Sequence, residues 1–238
     1  MAINKVKLKV EKDLTGLKNR ISLVSKILEL GYHSPRLGNK RNPLNELLYI
    51  QLSLRTTGPS FGRVYRGFKK RFPKWEDVYN APKKEVAKAL FNAGLSNQKA
   101  ANLKAVLYKL RIDFGMVSLA PLKKLTDNGM EDYLCAFSGI GKKSARCIML
   151  YSFGRQVFPV DAHCFRIVKR LGWIRSDAKY NDEMADTIQY LIPSKYRYSL
   201  HVNMVAHGRA LCLDRYPKCR VCPLLKRCAF GQKRLKHH

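Results

Sequence analysis

Leu134-Cys-Ala-Phe-Ser-Gly-Ile-Gly-Lys-Lys-Ser-Ala145 is the segment that decides the fold. One helix is expected to end near Phe137 and another to begin at about Lys143. Glycines flank Ile140, which is expected to point inward and anchor a tight turn. Backbone N–H groups that face outward at such a turn, before a helix N-terminus, bind phosphate well. The pattern indicates a helix-hairpin-helix, with a plain corner between two helices as the alternative.

The charge balance of the chain is strongly one-sided. Its 238 residues include 46 Lys+Arg and 17 Asp+Glu, a formal net charge of +29. Like charges repel one another in a compact state, and a polyanionic partner relieves that repulsion. Nucleic acid is the expected partner, and an anionic membrane surface or a charge-biased proteome are the alternatives. No apolar run has the length of a membrane span or signal peptide, so an intracellular protein is expected.

Helical spacing of apolar residues dominates the rest of the chain. Asn42-Pro43 predicts a helix start, because a capping side chain precedes a proline at the first helical position. No alternating run is long enough for a sheet, so an all-α protein of about nine or ten helices is expected. Helices are predicted after residue 43, in the next segment, which carries Val64, Phe68 and Phe72 on one face, from 82 to Gly94, and at 99–114, 121–137, 143–153, 161–171, 181–192 and 195–211.

Asp161 stands directly before one of these helices, whose apolar face carries Phe165, Val168 and Leu171. A carboxylate at that position ordinarily caps the helix by accepting backbone N–H bonds. By itself the residue therefore indicates a helix start and nothing more.

Four of the seven cysteines are crowded near the C-terminus in the pattern Cys-x6-Cys-x2-Cys-x5-Cys. The three scattered cysteines are expected to behave as small core residues. Four thiolates can hold either a zinc ion or an iron–sulfur cluster, and the spacing leaves that choice open. The predicted metal ligands are Cys212, Cys219, Cys222 and Cys228.

Three motifs together carry a family resemblance. The turn Gly139-Ile-Gly-Lys-Lys-Ser-Ala145, then Val160-Asp-Ala-His163, then the cysteine pattern, in that order over about 90 residues, resemble the endonuclease III family of DNA glycosylases. The resemblance implies a six-helix domain at 36–154 that contains the hairpin. It implies a second helical domain, formed from 1–35 plus 155–238, that holds a [4Fe–4S] cluster. It also implies a monomer that acts on double-stranded DNA containing a damaged or modified base.

The resemblance assigns the chemistry to Lys143 and Asp161. Lys143, which is 18 positions before Asp161, stands where bifunctional members keep a catalytic lysine. Its amine would attack the sugar C1′, displace the base and form a Schiff base that permits strand cleavage by β-elimination. Asp161 would stabilise the cationic sugar and help to move protons. Oxidised pyrimidines are the default substrates of the family.

The resemblance also implies a set of DNA contacts. Leu95, in a loop that probes the duplex, is the implied apolar wedge, and a hydrophobic contact that fixes the next helix is the alternative. Arg55 stands where relatives carry glutamine. Because arginine has donors only, we hypothesise that it reads acceptor atoms of the opposite base, guanine above all, which the base preference of Arg55→Gln would test. The whole implied set is Arg55, Leu95, Gly139, Ile140, Gly141, Lys142, His163, Arg215 and Lys218.

Several alternatives remain open at this point. If Lys143 only contacts a phosphate, the protein is a monofunctional glycosylase of mismatched or modified bases. The segments Phe158-Pro-Val-Asp161 and Arg170-Leu-Gly-Trp173 are similar to plant 5-methylcytosine glycosylases. A non-catalytic DNA-binding module needs neither Lys143 nor Asp161 at this spacing. A zinc-binding nucleic-acid protein would use the same four cysteines.

Overall fold

The computed structural model describes residues 14–53 and 60–236. Arg55 and the two C-terminal histidines lie outside these ranges. Within them the chain forms helices and no strand, so the all-α prediction is confirmed. No helix of the described residues combines the length and the apolar character that crossing a membrane requires.

Twelve α-helices occur in the described residues, joined by short loops and 3₁₀ turns. In chain order they are α1 (Leu14–Tyr32), α2 (Pro43–Ser53), α3 (Ser60–Arg71), α4 (Trp75–Asn80), α5 (Lys83–Ala89), α6 (Ser96–Phe114), α7 (Asp127–Cys135), α8 (Lys142–Phe153), α9 (Ala162–Arg170), α10 (Asp182–Leu191), α11 (Arg197–Ala210) and α12 (Ala229–Lys236).

The described residues divide into two compact units. The terminal unit lies within Met1–Leu37 and Gln156–His238 and contains α1 and α9 to α12. The central unit lies within Gly38–Arg155 and contains α2 to α8.

Helix α2 is at the centre of the central unit, where it packs against α3, α6 and α8. It begins at Pro43 as predicted, and the side-chain oxygen of Asn42 accepts a hydrogen bond of 3.1 Å from the backbone N–H of Asn45. Seven of its eleven residues are buried, so α2 is enclosed on nearly every side.

Three predicted helix boundaries were wrong. The helix predicted from Pro82 to Gly94 is α5, which ends at Ala89 and is followed by a 3₁₀ turn at Phe91–Ala93. The helix predicted at 121–137 is a 3₁₀ turn, Ala120–Lys124, followed by the separate helix α7. The side-chain oxygen of Thr126 accepts a hydrogen bond from Gly129 N at 3.2 Å, which caps a new helix start in the middle of the predicted one. Helix α6 begins at Ser96 rather than at residue 99.

The core of the terminal unit is built on α1, for which no helix was predicted. Its buried residues recur three or four positions apart and pack with the apolar faces of α9, α10 and α11. That spacing is the signature of an amphipathic helix. The buried residues of α1 are Leu17, Ile21, Val24, Ser25 and Leu28.

We predict that Leu28→Ala lowers the free energy of unfolding by about 2–5 kcal/mol, because it opens a cavity in this core. Leu28 is 0% exposed, whereas Leu30 of the same helix is 77% exposed. Leu30→Ala is therefore the matched control and should change stability by less than about 0.5 kcal/mol. Urea denaturation measures both, and equal effects would contradict the burial of this face.

Candidate active site and cysteine cluster

The hairpin between α7 and α8 has the predicted geometry. Gly139 has a backbone φ of +81°, in the region that favours glycine. Ile140 is buried, at 3% exposure, while the glycines on either side of it are exposed. The carbonyl oxygen of Gly141 accepts hydrogen bonds from the N–H groups of Ser144 and Ala145 and so starts α8. The turn therefore presents backbone at the surface and keeps one apolar anchor inside.

Lys142, the first residue of α8, lies in a small charge network. Its Nζ is 3.5 Å from Oε1 of Glu131 on α7. The other oxygen of Glu131 accepts a hydrogen bond of 2.5 Å from Nε of Arg146, whose side chain is 2% exposed. A buried guanidinium needs an anion beside it. Glu131 therefore pairs mainly with Arg146, and its contact with Lys142 is the longer of the two.

Lys143 is half-buried in the first turn of α8, and a buried acid of α2 lies within reach of its charge. This acid, Glu46, is held by the side chain of Asn39 at 2.5 Å and by the backbone N–H of Lys40 at 2.6 Å. Burial raises the pKa of Glu46, and the hydrogen bonds and the charges of Lys40 and Lys143 act in the opposite direction without cancelling that rise. The surroundings of Lys143 thus include a carboxyl group that no motif indicated.

Asp161 caps α9 as its position in the sequence predicts. Its Oδ1 accepts a hydrogen bond of 2.8 Å from the backbone N–H of Cys164. Burial pushes the pKa of Asp161 upward, but the charge of His201, the Cys164 N–H and the charge of His163 outweigh it, and the pKa lies below its ordinary value. The group is therefore an anion at neutral pH.

His163 packs against Gly208 of helix α11, where a residue larger than glycine would not fit. A Cβ placed on Gly208 would lie 2.6 Å from Nδ1 of His163. The same Nδ1 lies 3.0 Å from Nη2 of Arg166. Burial lowers the pKa of His163, so the ring is neutral at physiological pH.

The four clustered cysteines line one cavity of the terminal unit, together with Arg170, His207 and Leu224. All four are free thiols. Nη1 of Arg170 donates a hydrogen bond to Sγ of Cys212 at 3.3 Å, and the backbone N–H of Gly231 donates to Sγ of Cys228 at 3.4 Å. Hydrogen-bond donors directed at sulfur suit thiolates, and the donor set fits a cofactor that takes four of them.

Burial raises the pKa of Cys222 and Cys228, and the neighbouring thiols raise it further. Four thiolates this close together need a bound cation to stay ionised. Among the described residues, no group of three or more His, Cys, Asp or Glu side chains has the arrangement of a single metal-ion site.

The other predicted DNA contacts lie on exposed loops. Leu95 is 57% exposed and has a left-handed backbone conformation at the start of α6. Arg215 and Lys218 are exposed in the loop between the first two clustered cysteines.

Comparison with known proteins then places the chain. Residues 44–193 match the HhH-GPD superfamily of base excision DNA repair proteins. The chain belongs to this superfamily. Its fold is also that of endonuclease III: the structure of a non-covalent endonuclease III–DNA complex aligns with a TM-score of 0.75 and 26% identity, covering 92% of this chain and 98% of that one.

Relatives of this HhH-GPD chain differ in length. A candidate DNA glycosylase of Arabidopsis thaliana is 32% identical over 192 residues, which span 76% of this chain and 65% of that protein. Endonuclease III of Bacillus subtilis is 29% identical over 196 residues, 82% of this chain and 84% of that one. DNA glycosylase/AP lyase ROS1 of Arabidopsis thaliana is 30% identical over 182 residues, 68% of this chain and 13% of that much longer protein.

The sequence analysis did not identify two acidic residues near the hairpin of this HhH-GPD protein. Glu46 and Glu131 are both buried or nearly so, and each interacts with a cation of α8. The available signal was weak, since each acid interacts with residues of α8 that are distant from it in sequence.

We predict that Gly139→Ser lowers the free energy of unfolding by about 1–2 kcal/mol, because a side chain is strained at a left-handed φ. Its Cβ would also lie 3.2 Å from Nδ2 of Asn102. Gly141→Ser is the matched control: φ is −91°, no atom lies within 4 Å of the added Cβ, and serine is a favoured N-cap. Chemical denaturation should separate the two, and equal losses would contradict this account of the turn.

Proposed function

We propose that the chain is a bifunctional DNA glycosylase of base excision repair that also cleaves the strand at the resulting abasic site. The observation that carries the proposal is the place of Lys143. It lies in the first turn of the helix that begins directly behind the Gly139–Ile140–Gly141 turn. A turn that holds a DNA phosphate would therefore hold the neighbouring sugar close to an amine.

The chemistry would run through Lys143 and Asp161. The neutral amine of Lys143 attacks C1′ of the damaged nucleoside, the C1′–N bond breaks, and the base leaves with the bonding electron pair. The amine nitrogen then gives up a proton, the C1′–O4′ bond breaks, and the protonated O4′ leaves C1′ as a hydroxyl, so that a ring-opened cationic Schiff base forms. The Schiff base accepts the electron pair of the C2′–H bond when the C2′ proton is lost, and elimination of the 3′ phosphate follows. Asp161, an anion at neutral pH, would stabilise the positive charge that develops on the sugar.

DNA engagement would use the exposed groups already described. Backbone N–H groups of Gly139 and Gly141, with Lys142, would bind phosphates on one side of the lesion. The exposure of Leu95 supports a wedge that fills the space left by an everted base, and argues against a packed hydrophobic contact in the free protein. Arg215, Lys218 and His163 complete the proposed contacts. We expect a monomer to suffice, with oxidised pyrimidines as the default substrates.

We predict that the protein forms a covalent complex with a duplex that carries an abasic site when borohydride is present, and that Lys143→Ala abolishes it. Borohydride reduces the Schiff base and fixes the amine to the sugar. Denaturing gel electrophoresis measures the complex.

Lys109→Ala is the matched control for this experiment, because Lys109 is a lysine of the same unit that pairs with Asp113 at 2.8 Å on the surface of α6. It should give the wild-type amount of complex. Wild-type protein that releases the base but forms no covalent complex and cleaves no strand would instead be a monofunctional glycosylase, and base release that persists in full in Lys143→Ala would show that this lysine is not the nucleophile that displaces the base. A complex that persists in Lys143→Ala would contradict the role of this lysine.

We also propose that Cys212, Cys219, Cys222 and Cys228 hold a [4Fe–4S] cluster, within a domain formed from residues 1–35 and 155–238. Support comes from the shared cavity, the free thiols and the donors directed at sulfur. The cluster would accept four thiolates and supply the positive charge that their proximity demands. Its task would be structural, since the last residues contribute few buried side chains of their own.

We predict that protein purified without oxygen absorbs visible light and contains iron and acid-labile sulfide in equal amounts. Cys222→Ser should lose the absorption and lower the melting temperature, because the cofactor stabilises only the folded state. Cys147→Ala, which changes a buried cysteine of the central unit, should keep the absorption. Stoichiometric zinc in place of iron would overturn the proposal.

A further inference from the structure

The loop that carries Leu95 has a strained backbone. It follows the 3₁₀ turn Phe91–Ala93 and ends at the start of α6. Gly94 has φ +65° and ψ 150°, a region that essentially only glycine occupies, and Leu95 has φ +50° and ψ 38°, in the left-handed region. Leu95 is also the N-cap of α6, where it makes no side-chain cap. Such a conformation persists only where the surrounding contacts hold it.

Lys99 on α6 bonds to the residues on both sides of this glycine. Its side-chain Nζ donates a hydrogen bond of 2.8 Å to the carbonyl oxygen of Ala93, and its backbone N–H donates one of 2.9 Å to the carbonyl oxygen of Leu95. Lys99 is 8% exposed and Ala93 is 2% exposed, so the side-chain bond is buried. One residue of α6 therefore fixes both ends of the segment from Ala93 to Leu95.

The choice of a lysine at this position has a cost. Removing an ammonium group from water disfavours its charged form, and burial accordingly lowers the pKa of Lys99. An apolar side chain would fill the same space without that cost, but it could not donate a hydrogen bond to Ala93. The fold thus keeps a buried cation directly behind the loop that presents Leu95, whose own side chain is 57% exposed.

We propose that Lys99 is a positioning residue, which holds the backbone from Ala93 to Leu95 in the strained conformation that presents Leu95 to the duplex. This inference rests on the proposed glycosylase function, in which Leu95 fills the space left by an everted base. Eversion costs a few kcal/mol of unstacking, which an inserted side chain offsets only if its backbone stays in place.

The test compares one damaged base in two settings. 5-Hydroxyuracil in a fully paired duplex must be unstacked before excision, whereas in a bubble of unpaired nucleotides most of that cost is absent. Lys99→Met removes the donor and keeps the length of the side chain. We expect the ratio of single-turnover excision rates, paired duplex to bubble, to fall by about tenfold. Lys99→Arg, which keeps a charged donor, should restore most of the ratio.

Lys104→Met is the matched control. Lys104 is another lysine of α6, and its Nζ donates to backbone carbonyl groups of Val78, Tyr79 and Ala81, in and just after α4. Both substitutions remove a lysine that bonds to backbone carbonyl groups, so both should lower the melting temperature. Only Lys99→Met should lower the ratio of excision rates. It should also reduce the fluorescence increase of a 2-aminopurine placed beside the damaged base in the paired duplex, which reports unstacking directly.

An equal fall of excision in both settings would show that Lys99 only supports the fold, and would overturn the inference. An unchanged ratio in Lys99→Met, or an equal fall of the ratio in Lys104→Met, would overturn it as well. If the wild-type protein excises the base from the paired duplex alone, the fluorescence decides. If Lys99→Met does not fold, Lys99→Gln carries the same comparison, because its amide nitrogen is one bond closer to the backbone than Nζ. A wild-type protein that neither excises bases nor cleaves abasic sites would instead refute the proposed function itself.

Discussion

The placement of helix α8 depends on the burial of one side chain at a glycine-flanked turn. Ile140 is inside the central unit and the backbone around it is outside, an arrangement that requires the left-handed conformation of Gly139. The carbonyl of Gly141 then starts α8, which sets where Lys142, Lys143 and Arg146 point. A hydrophobic anchor thus positions the groups that we assign to phosphate binding and to chemistry. The backbone of Gly139 and Gly141 is exposed at this turn, and we propose that it contacts a DNA phosphate.

Two acidic residues of the central unit interact with individual cations within an otherwise basic protein. With 17 acidic residues against 46 basic ones, neutralisation of the whole surface is impossible. Glu131 instead compensates the buried Arg146, and Glu46 is buried where it interacts with Lys143. Most remaining cations are exposed and available to a polyanion. Affinity that depends on such charges falls steeply with salt, since phosphate contacts release counterions.

Local signals account for what was predicted correctly. The turn at Ile140 and the cap at Asp161 depend on neighbouring residues, so the sequence pattern was sufficient for both. The interruption at Thr126 was missed because a capping residue was read as part of a longer helix. Helix α1 was overlooked although its apolar residues recur at helical spacing. Arg55 lies outside the described residues, and its hypothesised role stays a prediction.

Glu46 and Gln51 illustrate a different limit. Periodicity distinguishes a buried face from an exposed one, but α2 is enclosed on nearly every side, so burial there gives no periodic signal. Whether a buried polar group is satisfied depends on contacts with other parts of the chain, such as Asn39 and Lys40 for Glu46. No residue type in the sequence shows that Glu46 is paired and that Gln51, which is also buried, has no hydrogen-bond partner among the described residues.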